Sequence, residues 1–345
     1  MAKRKTIVET SADIISDLKK KIYKPVYILS GDEHYYIDLI SDFIAQNVLT
    51  ESEKAFNLTT LYGKDLEVKT IVETSRRFPM MANHQVVIVK EAQQIKSIED
   101  LEVYIKAPQK STILVICHKL APGVKLKAKV RQLYTAAGKI GVFIDSKRLY
   151  DNKVPGWITG YLYNKGFSIA PKSTELLTEF LGNDLSKVVN ELDKLIVTMP
   201  SGVTQITTDH IEKNIGISKD FNRFELNTAL GQRDIMRVNR IVDHFAKNPA
   251  ANPFVVTVSS IHQYFIKIFK HYFIQDKSER NLAVQLGVNP FFVSEYTRAA
   301  RIYKPSKCVQ IFELLREYDL KSKGLDNSSV THGDLLKELV FKIMH

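Results

Sequence analysis

Cysteine is almost missing from this chain. Cys117 and Cys308 are the only two in 345 residues, one in an apolar strand-like run and one in a polar segment. That excludes a disulfide framework and every zinc spacing. Long hydrophobic runs are missing too. VVIV (Val86 to Val89) and ILVIC (Ile113 to Cys117) fall far short of the ~20 apolar residues that a bilayer span requires, so no membrane segment is expected. The longer segment VVTVSSIHQYFIKIFKHYF is interrupted by His262, Lys267, Lys270 and His271 and reads as a buried helix. The start, MAKRKTIVETSAD, has basic residues without a following apolar stretch; it predicts no secretory signal and a cytoplasmic location. HExxH, G-x-S-x-G and the dinucleotide glycine fingerprint are all lacking.

What remains is the composition of a globular protein, 44% apolar and 25% charged, and the length predicts two or three domains. The net charge of +11 is concentrated in the outer thirds of the chain. Such a balance suits contact with nucleic acid phosphates, although a solvated lysine-rich surface accounts for it equally well.

Residues 25 to 145 alternate strand-like and helix-like segments. Strands are predicted at 26–29, 55–61, 85–90, 112–117 and 139–144, with helices between them at 33–48, 66–76, 95–107 and 124–137. This alternation predicts a mainly parallel sheet covered by helices. Past SKRLYDNKVPGW the pattern turns helical. Short helices are expected at 157–165, 173–181, 184–197 and 208–215, the third with Leu185, Val188, Val189, Leu192, Leu195 and Ile196 on one face. From Asp220 onward only helices are expected: 223–230, 234–247, 254–273, 278–286, 290–302, 306–322 and 333–344.

The stretch LSGDEHYY (Leu29 to Tyr36) has the strand, glycine turn and helix start of a phosphate cradle. It lacks the Gly-Lys-Ser/Thr that reaches phosphate and magnesium, and Asp32 and Glu33 put negative charge where phosphate belongs. Asp32 is expected to cap the helix instead. Lys90 and Glu91 stand where a magnesium-binding aspartate would end the third strand, so ATP hydrolysis is not expected. His34, His84 and His118 flank strands, which would gather them at one sheet end; no nucleophile accompanies them, and surface or partner-facing positions are expected.

Phe78, Pro79, Met80 and Met81 lie between a helix and a strand and are bounded by Arg76, Arg77 and Asn83. Adjacent methionines and a phenylalanine at an element end suit an adaptable plug for a hydrophobic pocket on another protein. On composition alone, a buried loop under the sheet is the commoner fate of such residues.

Several blocks in order, VYILSGDEHYYID, RFPMMANHQVVIVKEA, GNDLSKVVNELDKL, NRFELNTALGQRDIMRVNRIV, LGVNPFFVSEYTRAAR and LREYDLKSKG, resemble the delta subunit of the bacterial DNA polymerase III clamp loader. The resemblance implies an AAA+-like α/β domain without a P-loop (1–145), a small helical lid domain (146–218) and a helical collar domain for oligomerisation (219–345). It implies that Phe78, Pro79, Met80 and Met81 bind the sliding clamp (beta), with methionine at the last place where an aromatic is common. It further implies no intrinsic catalysis, no cofactor and no metal. Membership of a polymerase holoenzyme would account for a polymerase activity catalogued by association. The implied partners are the clamp, ATPase gamma/tau and delta-prime subunits, and primed DNA near the replisome or nucleoid. Arg298, Arg301, Lys304, Lys321 and Lys323 are candidate phosphate contacts, with Lys125, Lys127, Lys129 and Arg131, spread around a helix, as another location. The alternative functions are an AAA+-like nucleic-acid-binding adaptor outside replication and a cryptic NTPase.

Overall fold

The computed structural model describes residues 6–216, 218, 220–325 and 329–345. The basic start Met1 to Lys5 and residue Lys219, where the collar domain was expected to begin, lie outside the described residues. The chain divides into two compact units. The first comprises the residues up to Leu149 with Asp184–Ser186, and the second comprises Tyr150–Asn183 with Lys187–His345.

In the first unit, hydrophobic runs of Val, Ile and Leu form strands because both faces of the sheet find cover. The elements are α1 (Ile7–Lys19), β1 (Val26–Gly31), α2 (His34–Asn47), α3 (Glu51–Asn57), β2 (Leu58–Tyr62), α4 (Val68–Ser75) and β3 (Gln85–Lys90). They continue with α5 (Glu102–Ile105), β4 (Thr112–Lys119), α6 (Ala128–Ile140) and β5 (Val142–Ser146). The five strands are parallel in the order β2-β3-β4-β1-β5. Alternate residues serve opposite faces. Tyr27, Leu29, Val86, Ile88, Ile113 and Val115 pack with Ile37, Ile40 and Ile44 of α2. Val26, Ile28, Val87, Val89, Leu114 and Ile116 pack with Ile71 of α4 and Tyr134 of α6.

Several elements differ from the sequence expectation. Residues 55–57, expected to begin the second strand, end α3, whose start carries a Thr50/Glu53 capping box. Residues 95–107 form a 3-10 turn (Ile98–Leu101) and the single-turn α5 rather than one long helix.

The second unit is helical with a two-strand accessory. It contains α7 (Val154–Asn164), β6 (Ser168–Ile169), α8 (Pro171–Leu181), most of α9 (Leu185–Thr198), β7 (Gln205–Ile206) and α10 (Thr208–Ile215). Seven more helices follow: α11 (Arg223–Gln232), α12 (Ile235–Lys247), α13 (Phe254–Phe273), α14 (Glu279–Leu286), α15 (Val293–Ile302), α16 (Pro305–Ser322) and α17 (His332–Met344). The α13 segment buries Ile261, Tyr264, Phe265 and Ile268, and no described helix is long and apolar enough to cross a membrane. Cys308, in a segment that reads as polar, is buried on α16.

Both helical segments share this unit because charged side chains join them. The Glu179 carboxylate of α8 accepts from the backbone N–H groups of Arg223 (3.0 Å) and Phe224 (2.9 Å), which satisfies otherwise open donors in the first turn of α11. Buried Glu225 of α11 pairs with Lys172 of α8 at 2.6 Å and with Arg237 of α12.

Candidate protein-docking site

The tip of β1 is the position where an open parallel sheet of this order would receive a ligand. Here it is filled from within. Gly31 has φ +141°, and a Cβ on it would lie 1.8 Å from the Ser146 carbonyl oxygen at the end of β5, so only glycine fits. The Glu33 N–H donates to that same oxygen at 3.1 Å, while the Ser146 hydroxyl donates to the Glu33 carbonyl at 2.7 Å. Across the turn, the Leu120 N–H donates to the Gly31 carbonyl at 2.9 Å.

The helix cap is Glu33, not Asp32. The Glu33 side chain accepts from the Tyr35 N–H at 3.0 Å, whereas the Asp32 carboxylate turns outward to accept from the Arg148 N–H at 3.2 Å. A one-residue displacement explains the difference: α2 begins at His34, so the side chain immediately before it meets the first free N–H groups. Glu33 is buried, and desolvation raises its pKa against the lowering effect of the Tyr35 and Leu185 N–H groups. Lys90 pairs with Asp42 at 3.0 Å and Lys119 with Asp38 at 2.7 Å, both acids lying one turn apart on α2. Lysines that would meet phosphate are thus committed to carboxylates of this chain.

The histidines do not gather. His84 precedes β3, while His34 and His118 lie at the opposite, C-terminal edge of the parallel strands. His118 is a core residue with Nδ1 2.8 Å from the Tyr134 hydroxyl, and burial lowers its pKa to about 4. Nothing around these groups resembles a nucleophile–base pair. Among the described residues no cluster of three His, Cys, Asp or Glu side chains has the placement to hold a metal ion.

The loop after α4 has the opposite character. Phe78 is 77% exposed, Met80 60% and Met81 fully exposed, with Pro79 half-buried between them. The buried-loop alternative fails for these side chains. Yet the backbone that carries them is held at several points. Gln85, at the start of β3, donates from Nε2 toward the carbonyls of Thr74, Ser75 and Arg77, and Thr112 Oγ1 donates to the Ser75 carbonyl at 2.8 Å. These bonds satisfy the open carbonyls at the C-terminus of α4.

Farther out, Asn57 grips Met80 on both sides. Its Oδ1 accepts from the Met80 N–H at 2.7 Å and its Nδ2 donates to the Met80 carbonyl at 2.9 Å. Met81 then takes φ +52°, a left-handed conformation unusual for a residue with a Cβ. Phe56, beside Asn57 in the chain, is 70% exposed. The sequence reading passed over Phe56 because it was assigned to a strand; the Thr50/Glu53 capping box signals its helix.

The five candidate phosphate contacts form two groups. Arg298 and Arg301 lie exposed on α15, followed by exposed Lys304 at the start of α16. Lys321 and Lys323 sit at the other end of α16, about 25 Å away at 1.5 Å per helical residue. There Lys321 pairs with Glu317 (2.7 Å) and Lys323 with Asp319 (2.6 Å), which reduces their free charge. Of the other basic run, Lys125 and Lys127 precede α6 and only Lys129 and Arg131 lie on it, so the four do not encircle a helix. Arg131 reaches Asp145 at 3.6 Å.

Comparison with known proteins agrees with this architecture. Residues 27–137 match the family model for DNA polymerase III, delta subunit. A DNA polymerase III subunit delta from Bacillus subtilis (strain 168) is 24% identical over 340 residues, spanning 95% of this chain and 96% of that protein. The solved structure of the Bacillus subtilis DNA clamp loader delta protein shares the fold at a TM-score of 0.50 and 22% identity, covering 97% of this chain and 99% of the other. The expected parallel-sheet unit and helical C-terminal part are the ones observed. On these matches, the chain is similar along most of its length to a DNA polymerase III subunit delta.

Proposed function

We propose that this chain is the non-ATPase subunit of a clamp loader, and that it binds the sliding clamp through Phe78, Pro79, Met80 and Met81 and helps open the ring for loading on primed DNA. The observation that carries the reading is the exposure of three large apolar side chains on a loop whose backbone is fixed by buried amides. Exposed and pre-ordered apolar groups lose little further entropy on docking. Burying Phe78, Met80 and Met81 in a pocket contributes at most ~1.5–3 kcal/mol for each side chain. Only the part of that energy realised with the loosened ring interface shifts the clamp toward opening.

The filled β1 turn supports assigning ATP hydrolysis to partner subunits of the gamma/tau and delta-prime types. In this reading residues 1–145 supply the clamp-binding domain, 146–218 the lid and 219–345 the collar that meets neighbouring subunits. Arg298, Arg301 and Lys304 are the stronger DNA contacts, with Lys321 and Lys323 secondary because of their acidic partners. The cytoplasm, where the replisome works, is the proposed site of action.

The test is calorimetric titration of the full chain with its cognate sliding clamp, before and after the paired change Phe78→Ala and Met81→Ala. A loss of about 100-fold or more in affinity is expected from two truncated anchors. Undiminished affinity defeats the docking site. Tight binding of primed DNA without any clamp association favours an adaptor outside replication.

A further inference from the structure

We infer that Asn57 is the positioning residue of the docking loop, setting the direction in which Met80 and Met81 are presented to the clamp. The inference rests on the clamp-binding reading above and assigns a role to a side chain that does not itself need to touch the partner.

Asn57 is the last residue of α3 and is 3% exposed. A primary amide at this depth must find partners, and this one finds three. Its Nδ2 donates to the Glu53 carbonyl of its own helix at 3.0 Å and to the Met80 carbonyl at 2.9 Å, and its Oδ1 accepts from the Met80 N–H at 2.7 Å. The bond to Glu53 ties the amide to the helix. The other two read both backbone polar groups of a single loop residue, which fixes the orientation of its peptide planes as well as its position. The next residue, Met81, then projects a fully exposed side chain from a left-handed backbone. Left to itself, a methionine rarely takes that conformation.

Gln85 provides an internal contrast. Its amide bonds to Thr74, Ser75 and Arg77 close the end of α4, a stabilising role that any helix terminus requires. Asn57 bonds instead to the loop itself, 23 residues farther along the chain. The backbone groups it holds belong to a residue that is 60% exposed, so water can replace the amide when it is removed. Loss of Asn57 therefore loosens the loop more than it destabilises the unit.

The experiment is a double-mutant cycle in the full chain. Clamp affinity is measured for the wild type, Asn57→Ala, the paired Phe78→Ala and Met81→Ala change, and all three together. Asn57→Asp is added as a variant of nearly the same shape that keeps an acceptor for the Met80 N–H but faces the Met80 carbonyl with oxygen. Asn57→Ala and Asn57→Asp should each weaken clamp binding about tenfold, the scale set by one or two neutral hydrogen bonds and lost pre-organisation. In the truncated-loop background Asn57→Ala should cost nothing further, because the anchors it aims are gone. Assembly with the other loader subunits should stay unchanged in both Asn57 variants.

Full clamp affinity in Asn57→Ala, beside a clear loss on truncating Phe78 and Met81, overturns the positioning role and leaves the docking site standing. Equal losses from Asn57→Ala in both backgrounds also overturn it, since the residue then acts elsewhere. A broad fall in unfolding midpoint and loader assembly in both Asn57 variants shows a merely structural residue and overturns it too. No loss on truncating the loop removes the docking site and this inference together.

Discussion

Acidification should weaken the sheet unit through one identifiable group, His118. This residue is 8% exposed in β4, with its ring edge-on to Tyr134 at 5.6 Å between ring centres and bonded to the tyrosine hydroxyl. Burial lowers its pKa from 6.5 to about 4. A folded pKa below the unfolded one means that the unfolded chain takes up the proton first. The stability supplied by the neutral ring is complete above pH 6.5 and is lost as pH falls from there toward 4. The full gap corresponds to about 3 kcal/mol at 1.36 kcal/mol per pKa unit, and about 2 kcal/mol of it is spent by pH 5. His118→Asn keeps an acceptor near the Tyr134 hydroxyl but does not titrate in this range. The assay is amide hydrogen exchange of β4, corrected for intrinsic rates, for both proteins between pH 7 and pH 4.5. The variant should start lower because it is smaller, then lose about 2 kcal/mol less than the wild type on acidification. Parallel losses in the two proteins would refute the assignment.

Three further substitutions probe the turn, a control position and the loop. Gly31→Ala places a Cβ against the backbone of Ser146 and should destabilise the unit by more than about 3 kcal/mol in urea unfolding. Gly123→Ala, also at positive φ but with nothing within 4 Å of its new Cβ, should cost only about 1 kcal/mol, and equal costs would sink the close-approach explanation. Met81→Gly relieves a left-handed methionine but frees the unfolded backbone, opposing effects of about 1 kcal/mol each, so the unfolding midpoint should barely move. Its clamp affinity should nevertheless fall about tenfold or more with the loss of an apolar anchor, and retained affinity would place the contact on other residues.

The parallel sheet and nearly every helix were legible because their apolar periods are strong and their ends are marked by Gly, Pro or capping residues. Helix α1 was passed over although Thr6 and Glu9 form a capping box, a signal that stands in the sequence as T-x-x-E. The same signal at Thr50 and Glu53 would have moved the start of β2 to Leu58 and put Asn57 at a helix end. The β6-β7 pair was out of reach because two residues per strand leave no period to read. The composition of Phe78–Met81 favoured a buried loop over an exposed plug. Exposure decided between them, and exposure depends on Asn57 and Gln85 reaching the loop from elsewhere in the fold.

The closed turn at Gly31 limits what a change of side chain can do. A lysine can be introduced by a single codon change, but here a main-chain carbonyl, that of Ser146, crowds the one residue whose missing side chain lets the strands close. Replacing Asp32 and Glu33 with lysine and serine would leave that carbonyl and the main-chain bonds of residue 33 to Ser146 in place, and would take from the Arg148 N–H its Asp32 acceptor. A phosphate cradle at this turn therefore requires the β5 backbone to retreat before any new side chain is useful, so the obstacle lies in the main chain rather than in the choice of residue at 32 or 33.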